Sequence, residues 1–231
     1  ALRRSLPPWR LCEEVLRRFL AGGGLHSVET LRHYGLFEEL FPATEESLAH
    51  EDHEFPITCG NRGLHNTDLR VREGKPVTPA FLFAVLLWEP VRTRAERYRA
   101  AGEPPLPAMQ QAGNDVLMAQ LDRVSLPKRF SLPMREIWNL QHRFEQRAGK
   151  RPHRLLTHPR FRAAYDFLLL RAEAGEIDRE LADWWTQFQE CDGEARGQMV
   201  RQAGDGSERP KKRRRRRRRP ARSASKPSSG D

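Results

Sequence analysis

Two sets of cations are the residues best suited to chemistry, and that chemistry is the binding of phosphates. The first is a C-terminal run in which Lys211, Lys212, Arg213, Arg214, Arg215, Arg216, Arg217, Arg218 and Arg219 stand between Pro210 and Pro220. Guanidinium groups grip phosphate oxygens in pairs of hydrogen bonds and displace condensed counterions, so such a run holds RNA or DNA tightly without reading its sequence. A nuclear localisation signal has the same composition, and a merely solubilising tail is the plain alternative. The second set is dispersed: Lys128, Arg129, Arg135, Arg143, Arg147, Lys150, Arg151, Arg154, Arg160 and Arg162. Interleaved with them are Phe130, Trp138, Phe144, Phe161 and Tyr165. Such rings can stack on bases, but at helical spacing burial in a core is the stronger expectation. Arg162 and Asp166, four apart, are placed to pair on one helix face.

Other chemistries find little support. His50-Glu51-Asp52-His53-Glu54 spaces its histidines three apart, not the four of a zinc-protease helix. Cys59 with His65 has no spacing signature, and no serine-centred elbow is present. Gly22-Gly23-Gly24 leads into Leu-His-Ser and not into a Lys-Ser or Lys-Thr pair, so it reads as a helix stop. No Asp-x-Asp pair is available for two catalytic magnesium ions. The expectation is a chain with no catalytic residue, no metal site and no cofactor of its own.

The charge pattern separates a body from a tail. Residues 208–231 hold twelve Lys and Arg against two acidic residues, which accounts for the whole formal charge of +10. Within the neutral remainder, residues 123–171 carry twelve basic and three acidic groups, while 172–207 carry three basic and nine acidic. A neutral body with one basic stretch and a basic tail points to a polyanion partner, nucleic acid before a membrane surface. No stretch is long and apolar enough to span a membrane. Cys12, Cys59 and Cys191 are odd in number and far apart, which fits a reducing, cytoplasmic compartment. The chain begins at Ala1 with no signal peptide, which reads as the tail part of a longer polypeptide.

The elements that must position these cations read as helices. Leu occurs 27 times against nine Val and three Ile, a bias away from strands. Pro7 and Pro8 open a helix stopped at Gly22–Gly24; Ser27 caps a short one ended by Gly35; Leu36–Phe41 forms a further turn. Residues 50–76, broken by Pro56, Gly60, Gly63 and Gly74, read as a long loop with room for one helical turn. Thr78-Pro79 starts a helix whose run Ala80–Trp88 is apolar on all sides and so belongs at the centre of a bundle. Helices are expected at about 91–101, 108–123, 131–148, 159–174 and 178–190. Beyond residue 192 too few large apolar residues remain to offset ordering entropy, so disorder is expected. The predicted architecture is an all-α helical bundle with a disordered arginine-rich tail. Its predicted divisions are 1–122, a basic helical region 123–191, and 192–231.

Six segments together carry a resemblance. They are Arg10–Leu16, Tyr34–Pro42, Thr78–Ala84, Leu126–Phe130, Ile137–Gln141 and the long His158–Glu173. The chain resembles bacterial poly(A) polymerases over about residues 1–190, and its arginine-rich end is similar to that family's tail. The earlier segments are shared more loosely with tRNA nucleotidyltransferases. The resemblance implies the neck, body and RNA-binding portion of a polymerase whose catalytic head is absent here. It implies single-stranded RNA 3′ ends and the head, in cis, as partners, with Mg and ATP belonging to the head-containing enzyme. It also carries Arg10, Glu13 and Glu14 onto a neck helix lying against the head's nucleotide pocket. Residues 50–66 depart from the family's pattern, which has a helix leading into Asn66-Thr-Asp-Leu-Arg70. Two further readings compete: a stand-alone RNA- or partner-binding adaptor from a split or degenerate gene, and the body of a CCA-adding enzyme, which the arginine tail disfavours.

Overall fold

The computed structural model describes residues 7–49, 59–74 and 77–205. Every regular element among them is helical, as leucine richness and scarce β-branched residues dictate. The arginine run 213–219, Lys211 and Lys212, the His50–Glu54 cluster and Pro56 lie outside the described residues.

Helix α1 (Pro8–Arg18) buries Leu11, Cys12 and Val15 at helical spacing. The glycines that follow do not stop the helical path. The backbone widens into one π-helical turn, Phe19–Gly23, and α2 (Gly24–His33) follows directly. The reason is a tertiary cap: the Asp68 carboxylate accepts hydrogen bonds from the backbone N–H of Gly24 at 2.7 Å and Leu25 at 3.1 Å. Ser27, expected to be the cap, lies inside α2. Gly35, at φ 64°, ends α2 as expected. Helices α3 (Leu36–Leu40) and α4 (Pro42–Ala49) complete the N-terminal group.

The expected loop is corrected by α5 (Cys59–Arg72), a helix of 14 residues. Its glycines mislead when read one at a time. A Cβ on Gly63 would lie 2.4 Å from Val85 Cγ1, so this glycine lets α5 press against α6 (Pro79–Leu86). Leu64 is buried one residue on, and tertiary contact repays the weak local propensity.

Thr78 caps α6 as its sequence promises, accepting from the N–H of Phe81 at 3.4 Å. Leu82 to Val91 are all buried, which makes α6 the centre of the bundle. Helix α7 (Trp88–Ala100) turns through Gly102, at φ 101°, to pack against α8 (Pro105–Gln120). The basic region comprises α9 (Lys128–Phe144), the short α10 (Arg151–Leu156) and α11 (Phe161–Glu173). Next comes α12 (Arg179–Glu190), capped by Asp178. Residues 193–205, expected to lack structure, form α13 (Gly193–Asp205). It is held because Met199 and Val200 pack against apolar neighbours and Arg196 donates to the carbonyls of Phe188 and Gln189 at the end of α12.

Two apolar cores result, and α9 and α11 serve both. Met134, Ile137 and Trp138 of α9, with Phe167 and Leu170 of α11, join the large core around α6. Leu140 and Phe144, with Phe161, Ala164, Tyr165 and Leu168, join a second core completed by Leu155, Trp185 and Phe188. Polar pins fix the register: Trp138 donates to the Ala84 carbonyl at 3.1 Å, and Trp185 to that of Phe144 at 2.9 Å.

Candidate nucleic-acid interface

The aromatic residues between the cations hold the scaffold. Trp138, Phe144, Phe161 and Tyr165 are buried, and Phe130 packs half-buried against the large core. Phe144, Phe161 and Trp185 meet at ring-centroid separations of 5.0–6.0 Å. With these rings buried, most of the intervening cations, though not Arg135, Arg143 or Arg147, are exposed.

The ten cations fall into three groups. Lys128, Lys150, Arg151 and Arg154 are exposed and have no acidic partner among the described residues. Arg129 is exposed and lies 4.8 Å from the Phe130 ring centroid. In α10, Pro152 and Leu155 point into the core, so Arg151 and Arg154 must point away. Gly149, at φ 65°, makes the turn that presents Lys150 beside them. A second group is paired: Arg147 with Glu180 at 2.9 Å, Arg160 with Glu136 at 2.9 Å, and Arg162 with Asp166 at 3.1 Å. The last pair is the one its four-residue spacing predicts. Arg135 and Arg143 are half-buried, and the Nε of Arg135 is buried without a hydrogen-bond partner.

The fold spreads these groups along α9. Lys128 and Arg129 stand at its start, and Arg143 to Arg154 lie at and beyond its end, separated by about 25 Å of helix. Other cations of the region serve the fold. Arg171 pairs with the mostly buried Glu176 at 3.1 Å, stacks 4.9 Å from the Trp88 ring centroid, and donates to Gln141 at 3.3 Å. His142 is held below the usual imidazole range by burial, which favours its neutral form.

On α1, Arg10 and Glu13 are exposed. Glu14 is gripped by Arg17 at 2.7 Å and Arg18 at 2.6 Å, whose hydrogen bonds pull its pKa down to about 2.

A groove of about 530 Å³ lies between α5 and α11. One wall presents Asn66, Leu69 and Arg70, the other Arg162, Asp166 and Leu169, with Phe81 also lining it and Arg160 beside Pro159 at its edge. Burial raises the Asp166 carboxyl above its usual range, against the opposing pull of Arg162 and the field of Arg70. The α5 wall escapes a reading by charge because residues 1–122 are net acidic. The available signal is the segment Asn66-Thr-Asp-Leu-Arg70. Among the described residues no group of three or more His, Cys, Asp or Glu could hold a metal ion. No described helix is long and apolar enough to cross a membrane.

An all-α body with shared cores, cations turned outward and an arginine-rich end defines a class of chain. Its membership is specific: the chain belongs to the family described as polymerase A arginine-rich C-terminus, whose model matches residues 101–220. A second model, described as "Probable RNA and SrmB- binding site of polymerase A", matches residues 4–48. The chain is similar to poly(A) polymerase I of Haemophilus influenzae, 37% identical over 213 residues that cover 91% of this chain and 47% of that protein. It is 39% identical over 192 residues to poly(A) polymerase I of Salmonella typhi, covering 81% of this chain and 41% of the relative. The Escherichia coli O6:H1 protein of the same name is 40% identical over 193 residues, again covering 81% and 41%. The chain thus spans less than half the length of each of these relatives.

Proposed function

We propose that this chain is the RNA-binding, non-catalytic part of a poly(A) polymerase, an enzyme that adds AMP from ATP to RNA 3′ ends in mRNA polyadenylation and RNA decay. The observation that carries the reading is the exposed Lys150, Arg151 and Arg154, which have no acidic partner among the described residues and are set on buried Pro152 and Leu155. Cations fixed this way bind phosphates without first giving up an internal partner. Family membership and relatives named poly(A) polymerase I support it.

In this reading the body holds a single strand along α9 to α11, and the arginine run keeps RNA close. The 3′ end is led toward a nucleotidyltransferase head, in cis, near Arg10, Glu13 and Glu14. Metal-assisted attack of the 3′ hydroxyl on the α-phosphate of ATP belongs to that head. The working compartment is the cytoplasm. Incubating the chain with ATP, magnesium and an oligoadenylate primer tests the division of labour. The expected outcome is retarded primer of unchanged length. Elongation, or no retardation at all, would contradict the proposal.

A further inference from the structure

We propose that the groove between α5 and α11 is a subsite for one unpaired nucleotide of a bound RNA strand, base inward. The inference deepens the RNA-binding reading above and rests on it. The groove's volume, about 530 Å³, falls in the range of ~300–1,000 Å³ typical of ligand sites. Its lining combines two chemistries that a nucleotide also combines. Phe81, Leu169 and Leu170 offer an apolar surface to the face of a base. Leu69 adds to it while 40% exposed. Around them, Arg160 and Arg162 are exposed and can meet phosphate with the donors their ion pairs with Glu136 and Asp166 leave over, while the Asn66 amide can meet the polar edge of a base.

Position supports the same occupant. Arg160 follows Arg154 by six residues, so the groove continues the outward-facing cations of α10. Its α11 wall is part of His158–Glu173, one of the segments that carry the family resemblance. Thr67 and Asp68 have evident structural work, the first bonding the Gly63 carbonyl and the second capping α2. Asn66, Leu69 and Arg70 line the groove. A base paired within a duplex cannot enter, because its faces are already stacked and its edge is already used.

Two uncharged substitutions in the full chain test the proposal. Leu69→Ala removes apolar lining at an exposed site, and Ala163→Trp fills the groove from α11. Binding of fluorescent oligoadenylate and of a blunt RNA duplex is measured over a salt series, with thermal unfolding as the control for folding. Both variants are expected to bind the single strand about tenfold more weakly, the loss of one base contact, while duplex binding stays unchanged. Wild-type affinity for the single strand in a folded Leu69→Ala chain would overturn the subsite, as would equal losses for strand and duplex. Charge reversal of Arg151 and Arg154 is run alongside. If it weakens binding while the groove variants do not, the subsite falls and the RNA-binding reading stands; if neither matters, that reading falls.

Discussion

At the level of single residues, burial and pairing decide what a charged or nucleophilic group can do. Arg171 belongs to the basic stretch by sequence, yet its guanidinium is spent on Glu176, Trp88 and Gln141 and holds α11 to the core. Arg151 and Arg154 have the same chemistry with no acidic partner among the described residues. No sequence spacing separates these cases, because the partner of Arg171 is presented by the chain reversal after α11. Spacing did reveal Arg162 with Asp166, since a pair four apart on one helix is a local matter. Cys12 shows how far burial reaches: it pushes the thiol up to about 11, with Arg129 opposing. A raised thiol pKa stabilises the fold fully below the ordinary thiol range, and that contribution is lost as pH climbs toward about 11. Alkylation mapped by mass spectrometry should therefore leave the Cys12 peptide unmodified at neutral pH in the folded chain and modify it once the chain unfolds. Rapid native-state labelling of Cys12 would contradict its placement.

At the level of elements, the legible helices are those whose signals are local. Thr78-Pro79 announces α6, and its continuous apolar run announces the central position it takes. Helix α5 was illegible because its stability is borrowed: Gly63 looks like a breaker in isolation and is a packing residue beside Val85. The π turn at Phe19–Gly23 and the start of α2 depend likewise on Asp68, more than 40 residues away. Helix α13 depends on Arg196 reaching back to the end of α12. The borrowed stability of α5 can be measured. Gly63→Ala should destabilise the chain by about 1–3 kcal/mol in denaturant unfolding, the cost of overpacking. Adding Val85→Ala should relieve the overlap, so that the double variant loses less than the two single losses combined. Strict additivity would mean that α5 and α6 do not meet at this point.

At the level of the whole molecule, the two cores share α9 and α11, so the cations of these helices are mounted on one packed framework. The site was legible as a composition, a basic stretch within a neutral body, but the sorting of its members was not. That sorting needed the directions of α10 and the acidic partners supplied by Glu136 and Glu180. Nor could composition reveal the groove, whose walls come from an acidic and a basic region. The central claim is that unpaired cations on this framework, together with the arginine run, hold an RNA strand by its phosphates. The most direct measurement is the dependence of single-stranded RNA affinity on salt, for the full chain, for a chain ending before residue 208, for Arg151→Glu/Arg154→Glu, and for a chain carrying both changes. The account predicts a steep log–log slope of about −0.7 per neutralised phosphate, flattened by each change separately and most by both together. Affinity and slope that stay the same in all four proteins would contradict it.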